Sequence, residues 1–151
     1  MLANAIKKRL SKEENQKGFT LIELLAVIVI LGIISVIAIP LIGNVINNTK
    51  TSSDVATARQ VYDAARLYVA GTDGDFTTRT INVVDADSAT DDLVQAGYLD
   101  AGLVLPSTKV AITAGTVVFN DQGQLTSVSL TAGTAKTYTA AEVLKSEVSA
   151  H

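Results

Sequence analysis

The chain has 151 residues and a formal charge of −3, with 48% hydrophobic but only 5% aromatic residues. It has no cysteine and one histidine, His151. These counts exclude disulfide frameworks, Fe–S clusters, thiolate zinc sites, cysteine nucleophiles, histidine triads and multi-histidine metal sites. What remains is one modest domain of which no enzymatic chemistry and no cofactor is expected. Its aliphatic residues must be concentrated somewhere. Residues 1–18 carry Lys7, Lys8, Arg9, Lys12 and Lys17 against Glu13 and Glu14, a net +3. The remaining 133 residues carry −6. A basic head on an acidic body suits a positive-inside N-terminus and argues against nucleic-acid binding by the body.

The aliphatic excess lies between Leu24 and Ile46, and no charge occurs from Leu24 to Thr49. A helix from Phe19 to Pro40 spans roughly 30 Å, about the thickness of a bilayer core. A domain of this size cannot surround a helix that is apolar on every side, so the segment reads as membrane-spanning. The apolar run is long for the core of a secretory signal, and no A-x-A site follows it, so it is expected to stay on the protein. Asn47–Ser53 is polar and reads as a weak helix or a bend. Val55, Ala58, Tyr62, Ala65 and Val69 then recur at spacings of three and four, the apolar face of a helix. Arg59, Asp63 and Arg66 fall off that face. Gly71 reads as its stop. The simplest reading is one long helix from Phe19 to Ala70.

The C-terminal part reads as sheet. Thr77–Val84 is rich in β-branched residues, with Ile81 and Val83 on one face. Thr90–Ala96 reads as a short helix stopped by Gly97. Val110–Thr113, Thr116–Asn120, Leu125–Thr131 and Lys136–Thr139 read as strands, with turns at Asn120–Gly123 and Ala132–Gly133. Thr139-Ala-Ala-Glu142 is a capping box that opens a last helix to about Val148. The expected fold class is α+β, a long N-terminal helix whose amphipathic half packs on a small antiparallel sheet.

Glu23 is the one charge inside the apolar stretch. An ionised carboxylate in hydrocarbon costs at least about 2.5–3.5 kcal/mol, so it needs a partner or a place at the membrane boundary. Lys17-Gly18-Phe19-Thr20-Leu21-Ile22-Glu23, followed by the aliphatic run Leu24–Ile34, resembles the signal of type IV prepilins. That family's pattern is a basic leader ending in Gly, then Phe, Thr, Leu, Ile and Glu, then a hydrophobic helix. Every position is filled here. The close resemblance covers residues 1 to about 70. In the head only the outline and Leu93-Val94-Gln95-Ala96-Gly97-Tyr98-Leu99 are similar to pilins and pseudopilins.

The resemblance implies four segments: a leader at 1–18, a membrane and filament-core helix at 19–46, its amphipathic continuation at 47–71, and a head at 72–151. It implies cleavage between Gly18 and Phe19 by a prepilin peptidase that also N-methylates Phe19. It implies that Glu23 pairs with the Phe19 amine of a neighbouring subunit, with Thr20 adding a hydroxyl nearby. Gly32, Pro40 and Gly43 interrupt the helix pattern, and in filaments of this family such a segment becomes extended. Pro40 cannot donate to the Val36 carbonyl, which weakens the ladder there. The implied partners are other copies of the chain, the peptidase, an assembly ATPase, a platform protein and the cytoplasmic membrane. The implied location is a single-pass precursor in that membrane and an extracellular pilus after assembly. The lack of cysteine rules out the disulfide-closed loop of many Gram-negative pilins and suggests a Gram-positive host. A competence (DNA-uptake) or type II secretion pseudopilin shares residues 1–70, so that alternative stays open, as does a membrane-anchored binding protein.

Weaker signals are discounted. Leu105-Pro106-Ser107-Thr108 resembles a sortase motif, but Lys109 stands where Gly is required. Asp73-Gly74-Asp75, Asp85, Asp87, Asp91 and Asp92 do not have calcium-loop spacing. Lys50, Arg59, Arg66 and Arg79 are scattered and are expected to pair with nearby acids rather than form a DNA stripe.

Overall fold

A computed structural model describes residues 1–13, 18–84 and 92–145, with side chains of 1–9 in the first of these stretches. The chain divides into two compact units, Met1–Asn44 and Val45–His151. The first contains α1 (Leu2–Glu13) and the start of α2 (Leu21–Thr72). From Phe19 to Ile46 every residue is exposed except Ala38, which is half-buried. The helix runs through Gly32, Pro40 and Gly43 without interruption. Ser35, the sole hydroxyl of the apolar run, donates to the Leu31 carbonyl at 2.7 Å and so presents no unpaired group.

Helix α2 differs from the expected Phe19–Ala70 at both ends. It starts at Leu21 because Thr20 caps it. It ends at Thr72, beyond Gly71, so Gly71 is not the stop. A Cβ on Gly71 would lie 2.8 Å from the Tyr98 hydroxyl, so the missing side chain is what lets Tyr98 approach. The polar stretch Asn47–Ser53 stays helical. Thr49, Thr51, Ser53 and Thr57 each donate their hydroxyl to the carbonyl four residues back, at 2.8–3.1 Å. These bonds satisfy the hydroxyls without breaking the ladder.

In the second unit, a four-stranded antiparallel sheet has the order β1 (Thr80–Val84), β4 (Ala114–Phe119), β5 (Leu125–Ala132), β6 (Thr134–Thr139). β2 (Val104–Leu105) and β3 (Val110–Ala111) form a separate hairpin. The sheet and the second half of α2 share one core. Val55, Ala58, Tyr62, Ala65 and Val69 are buried as their spacing requires, and Val61, Ala64 and Tyr68 widen the stripe. Ile81, Val83, Val117, Val128 and Leu130 face them from the sheet. The Tyr62 and Phe119 rings lie 6.1 Å apart, and Phe76 packs edge-on against Phe119 at 5.5 Å.

Several head elements shift from their sequence positions. β1 starts at Thr80 rather than Thr77, because Thr77 turns its amide and hydroxyl to Asp75. Residues 92–97 make a turn rather than the expected short helix. Gly97 sits at φ +80, its amide bonds Val94, and Tyr98 bonds back to Leu93. That is a helix-ending motif closing after a single turn. Thr90 and Asp91 lie outside the described residues. The predicted strand 110–113 shortens to β3, whose partner β2 had no sequence signal. The β4–β5 and β5–β6 turns fall at Asn120–Gln124 and Gly133 as expected. Helix α3 (Ala140–Leu144) opens with the predicted Thr139–Glu142 capping box. Its expected extension to Val148 lies outside the described residues.

Candidate functional site

The N-terminal candidate residues cluster at the start of α2. Gly18 and Phe19 precede the helix in irregular, exposed backbone, with Phe19 87% exposed. The Gly18–Phe19 peptide is therefore exposed, and Gly18 carries no side chain. Thr20 and Glu23 form a reciprocal capping box. The Thr20 amide donates to Glu23 Oε2 at 2.8 Å, and the Glu23 amide donates to Thr20 Oγ1 at 3.3 Å. Two of the donors that a helix start leaves orphaned are thereby satisfied. The carboxylate also sits in the first turn, where the helix dipole favours negative charge. Within one chain, then, Glu23 is held by Thr20, a role the sequence carries as T-x-x-E. Lys17 and the other leader residues from 14 to 17 lie outside the described residues.

The second cluster is in the head and was not anticipated. Asp54 is 2% exposed although it belongs to a helix. Its Oδ1 accepts from the Ser107 amide at 2.9 Å and its Oδ2 from Lys136 Nζ at 2.9 Å. Lys136 also donates to the Ser107 hydroxyl at 2.8 Å. Burial by itself raises the Asp54 carboxyl. The Ser107 and Lys136 hydrogen bonds outweigh that and hold it below its ordinary value. Three elements meet here: α2, the β2–β3 turn and β6. The Leu105–Thr108 stretch thus serves as the turn that grips Asp54. The Tyr138 hydroxyl is buried close by without a well-formed partner. Burial and the Asp54 charge push its phenol up to about 12. The only sequence sign of this cluster was a charge beside the apolar stripe of α2.

Most of the other polar candidates have internal partners among the described residues, though Arg66 meets a ring rather than an acid. Both Asp73 oxygens accept from Arg79, at 2.6 and 2.7 Å, and this bond lowers the Asp73 carboxyl. Asp75 accepts from Thr77, and Asp92 from the Gln95 amide. These oxygens point to separate donors rather than to a common centre, and no group of three potential metal ligands occurs among the described residues. Asp85, Asp87 and Asp91 lie outside them. Arg59 pairs with Asp63 at 3.4 Å and bonds the α3 carbonyls, while Arg66 lies 5.8 Å over the Tyr62 ring.

Residues 15–39 match the prokaryotic N-terminal methylation motif. The chain is 42% identical over 66 residues to the type IV major fimbrial protein FimA of Dichelobacter nodosus, a stretch covering 42% of this chain and 39% of that protein. No solved structure matches. The stretch shared with the fimbrial protein is thus well under half of its length, while the methylation motif falls on Gly18, Phe19 and Glu23 and on the apolar start of α2.

Proposed function

We propose that this chain, a type IV pilin by its methylation motif and by its long helix with a small antiparallel sheet head, is a structural subunit that polymerises through the first half of α2. The precursor waits as a single-pass protein in the cytoplasmic membrane. A prepilin peptidase removes residues 1–18 and methylates Phe19. An assembly ATPase and a platform protein then transfer the subunit to an extracellular filament.

The observation that carries this reading is the apolar segment 19–46, exposed on all sides and headed by a lone carboxylate. Such a surface must be covered by lipid and, after extraction, by equivalent helices. Cleavage creates an α-amine at Phe19, four residues from Glu23. A buried cation and a buried carboxylate that are each costly alone become tolerable as a pair, and the pairing fixes register between subunits. In the filament Glu23 turns from the Thr20 amide to the Phe19 amine of a neighbour. Gly32, Pro40 and Gly43 mark where the helix yields during packing, since the Val36 carbonyl already lacks its donor. Replacing Glu23 by Ala is expected to abolish filaments, or reduce them at least about tenfold, while leaving membrane insertion intact. Quantitative immunoblotting of sheared filaments and membranes measures both. Normal filament yield would overturn the pairing.

A further inference from the structure

We propose that the outer face of the four-stranded sheet is a self-association surface, through which subunits of neighbouring filaments pack side by side. The inference rests on the filament reading above. Strand alternation sends Val117, Val128 and Leu130 into the core, so the residues between them face away from α2. The registers place Asn82, Thr116, Ser129 and Thr137 in one row across the four strands, with Ser127 and Thr131 on either side of Ser129 along β5. None of the outward residues of these strands is charged or aromatic. Among the described residues no partner meets the hydroxyls of Thr116, Ser127, Ser129, Thr131 and Thr137. Most hydroxyls of α2, by contrast, close onto carbonyls of their own helix.

Chemistry, charge and size select a second copy as the occupant. A hydroxyl is donor and acceptor at once, so an array of hydroxyls is complementary to itself without a fixed register. The 133 residues after the leader carry −6, so two copies repel at long range. A face without charge lets them meet with no like charges opposed and no ion desolvated. Four strands about 4.8 Å apart and about five residues long offer roughly 300 Å² per copy. A stable complex buries about 800 Å² a side, so one such contact does not hold two free chains together. A filament repeats the contact at every subunit, and weak contacts on two linked arrays reinforce one another. The charge balance also fixes a salt signature. Salt screens the repulsion and leaves the hydroxyl contacts intact, so association strengthens as ionic strength rises. A contact built on ion pairs would weaken instead.

Filaments of the parent, Ser129→Asp, Thr137→Asp and Ser129→Thr are sheared from cells and adjusted to low or high sodium chloride. Low-speed sedimentation and negative-stain electron microscopy then report bundling. Ser129 lies mid-sheet and Thr137 on the exposed edge strand, so a local disturbance in one variant leaves the other as a test. The expected result is side-by-side bundles of parent filaments that increase with salt. Each aspartate variant is expected to give the parental amount of filament but at least about fivefold less in the low-speed pellet. Ser129→Thr keeps the hydroxyl and is expected to bundle as the parent does. Parent filaments that stay single at high salt, or bundles that dissolve as salt rises, overturn the self-association face. Unchanged bundling in both aspartate variants overturns it too. So does loss of filaments in both, with the near-ultraviolet circular dichroism of the detergent-extracted chain unchanged, because the face would then lie inside the filament. These outcomes leave the filament reading standing, whereas absence of filaments from the parent overturns both.

Discussion

The two halves of α2 have one backbone conformation and opposite surroundings. Residues 24–46 are almost entirely apolar and, apart from the half-buried Ala38, exposed. Residues 54–69 bury one stripe, with Ala58, Val61, Ala65 and Val69 fully covered, and leave Asp63, Arg66 and Leu67 outside. The second half is therefore stabilised by packing inside the chain. On the proposed function, the first half depends on what lies outside the chain, lipid before assembly and other subunits after it. A single helix thus divides into a part that holds the head together and a part that, on the proposed function, holds subunits together.

That division is open to mutation. The largest effect is expected at Leu130, fully buried in the sheet. Leu130→Ala should cost the head about 2–5 kcal/mol through lost burial and a cavity. Leu31→Ala, in the exposed half, should leave head stability unchanged. Urea unfolding of the two variants beside the parent, followed by near-ultraviolet circular dichroism, tests this. Equal effects would mean that the halves are not energetically separate.

Asp54→Ala sharpens the comparison, because Asp54 ties α2 to β6 and to the β2–β3 turn. Breaking a fully buried pair costs about 3–5 kcal/mol, but the Lys136 side chain is 37% exposed, so about 1–3 kcal/mol is expected. The pH dependence has a definite sign. The folded carboxyl lies below its ordinary value of 3.8. Its contribution is thus complete above that value and lost as pH falls through the lower folded value. The parent should lose more stability than Asp54→Asn below about pH 4, as measured by urea midpoints.

The smallest effect at neutral pH belongs to Tyr138→Phe. The hydroxyl is buried without a well-formed partner, so removing it should change stability by less than about 1 kcal/mol at pH 7. At high pH the two proteins should diverge. The unfolded phenol ionises near 10 and the folded one at about 12. Stability tied to the neutral phenol is complete below 10 and lost as pH rises towards 12. Tyr138→Phe should lack that loss in an alkaline titration of the unfolding midpoint.

The stripe of α2 and strands β1, β4, β5 and β6 were legible because each obeys a period, 3.6 or 2, over enough residues to stand out. The capping box at Thr139 was legible for the same reason of fixed spacing. The identical T-x-x-E at Thr20–Glu23 is harder to read as a cap, because Glu23 is also a charge inside an apolar run. β2 is only two residues long and ends just before Pro106, too short for any periodic signal. The turn at 92–97 carried a valid stop signal in Gly97, but one turn of backbone cannot be told from the end of a longer helix. The Asp54–Ser107–Lys136 cluster joins residues 29 to 82 positions apart, a proximity that only the tertiary fold creates.

The most direct test of the central claim is mass spectrometry of the chain recovered from sheared surface filaments. A subunit that begins at a monomethylated Phe19, with residues 1–18 absent and the apolar helix retained, is the predicted result. Filament protein that still carries the leader, or a surface form cut after the apolar segment, would contradict it.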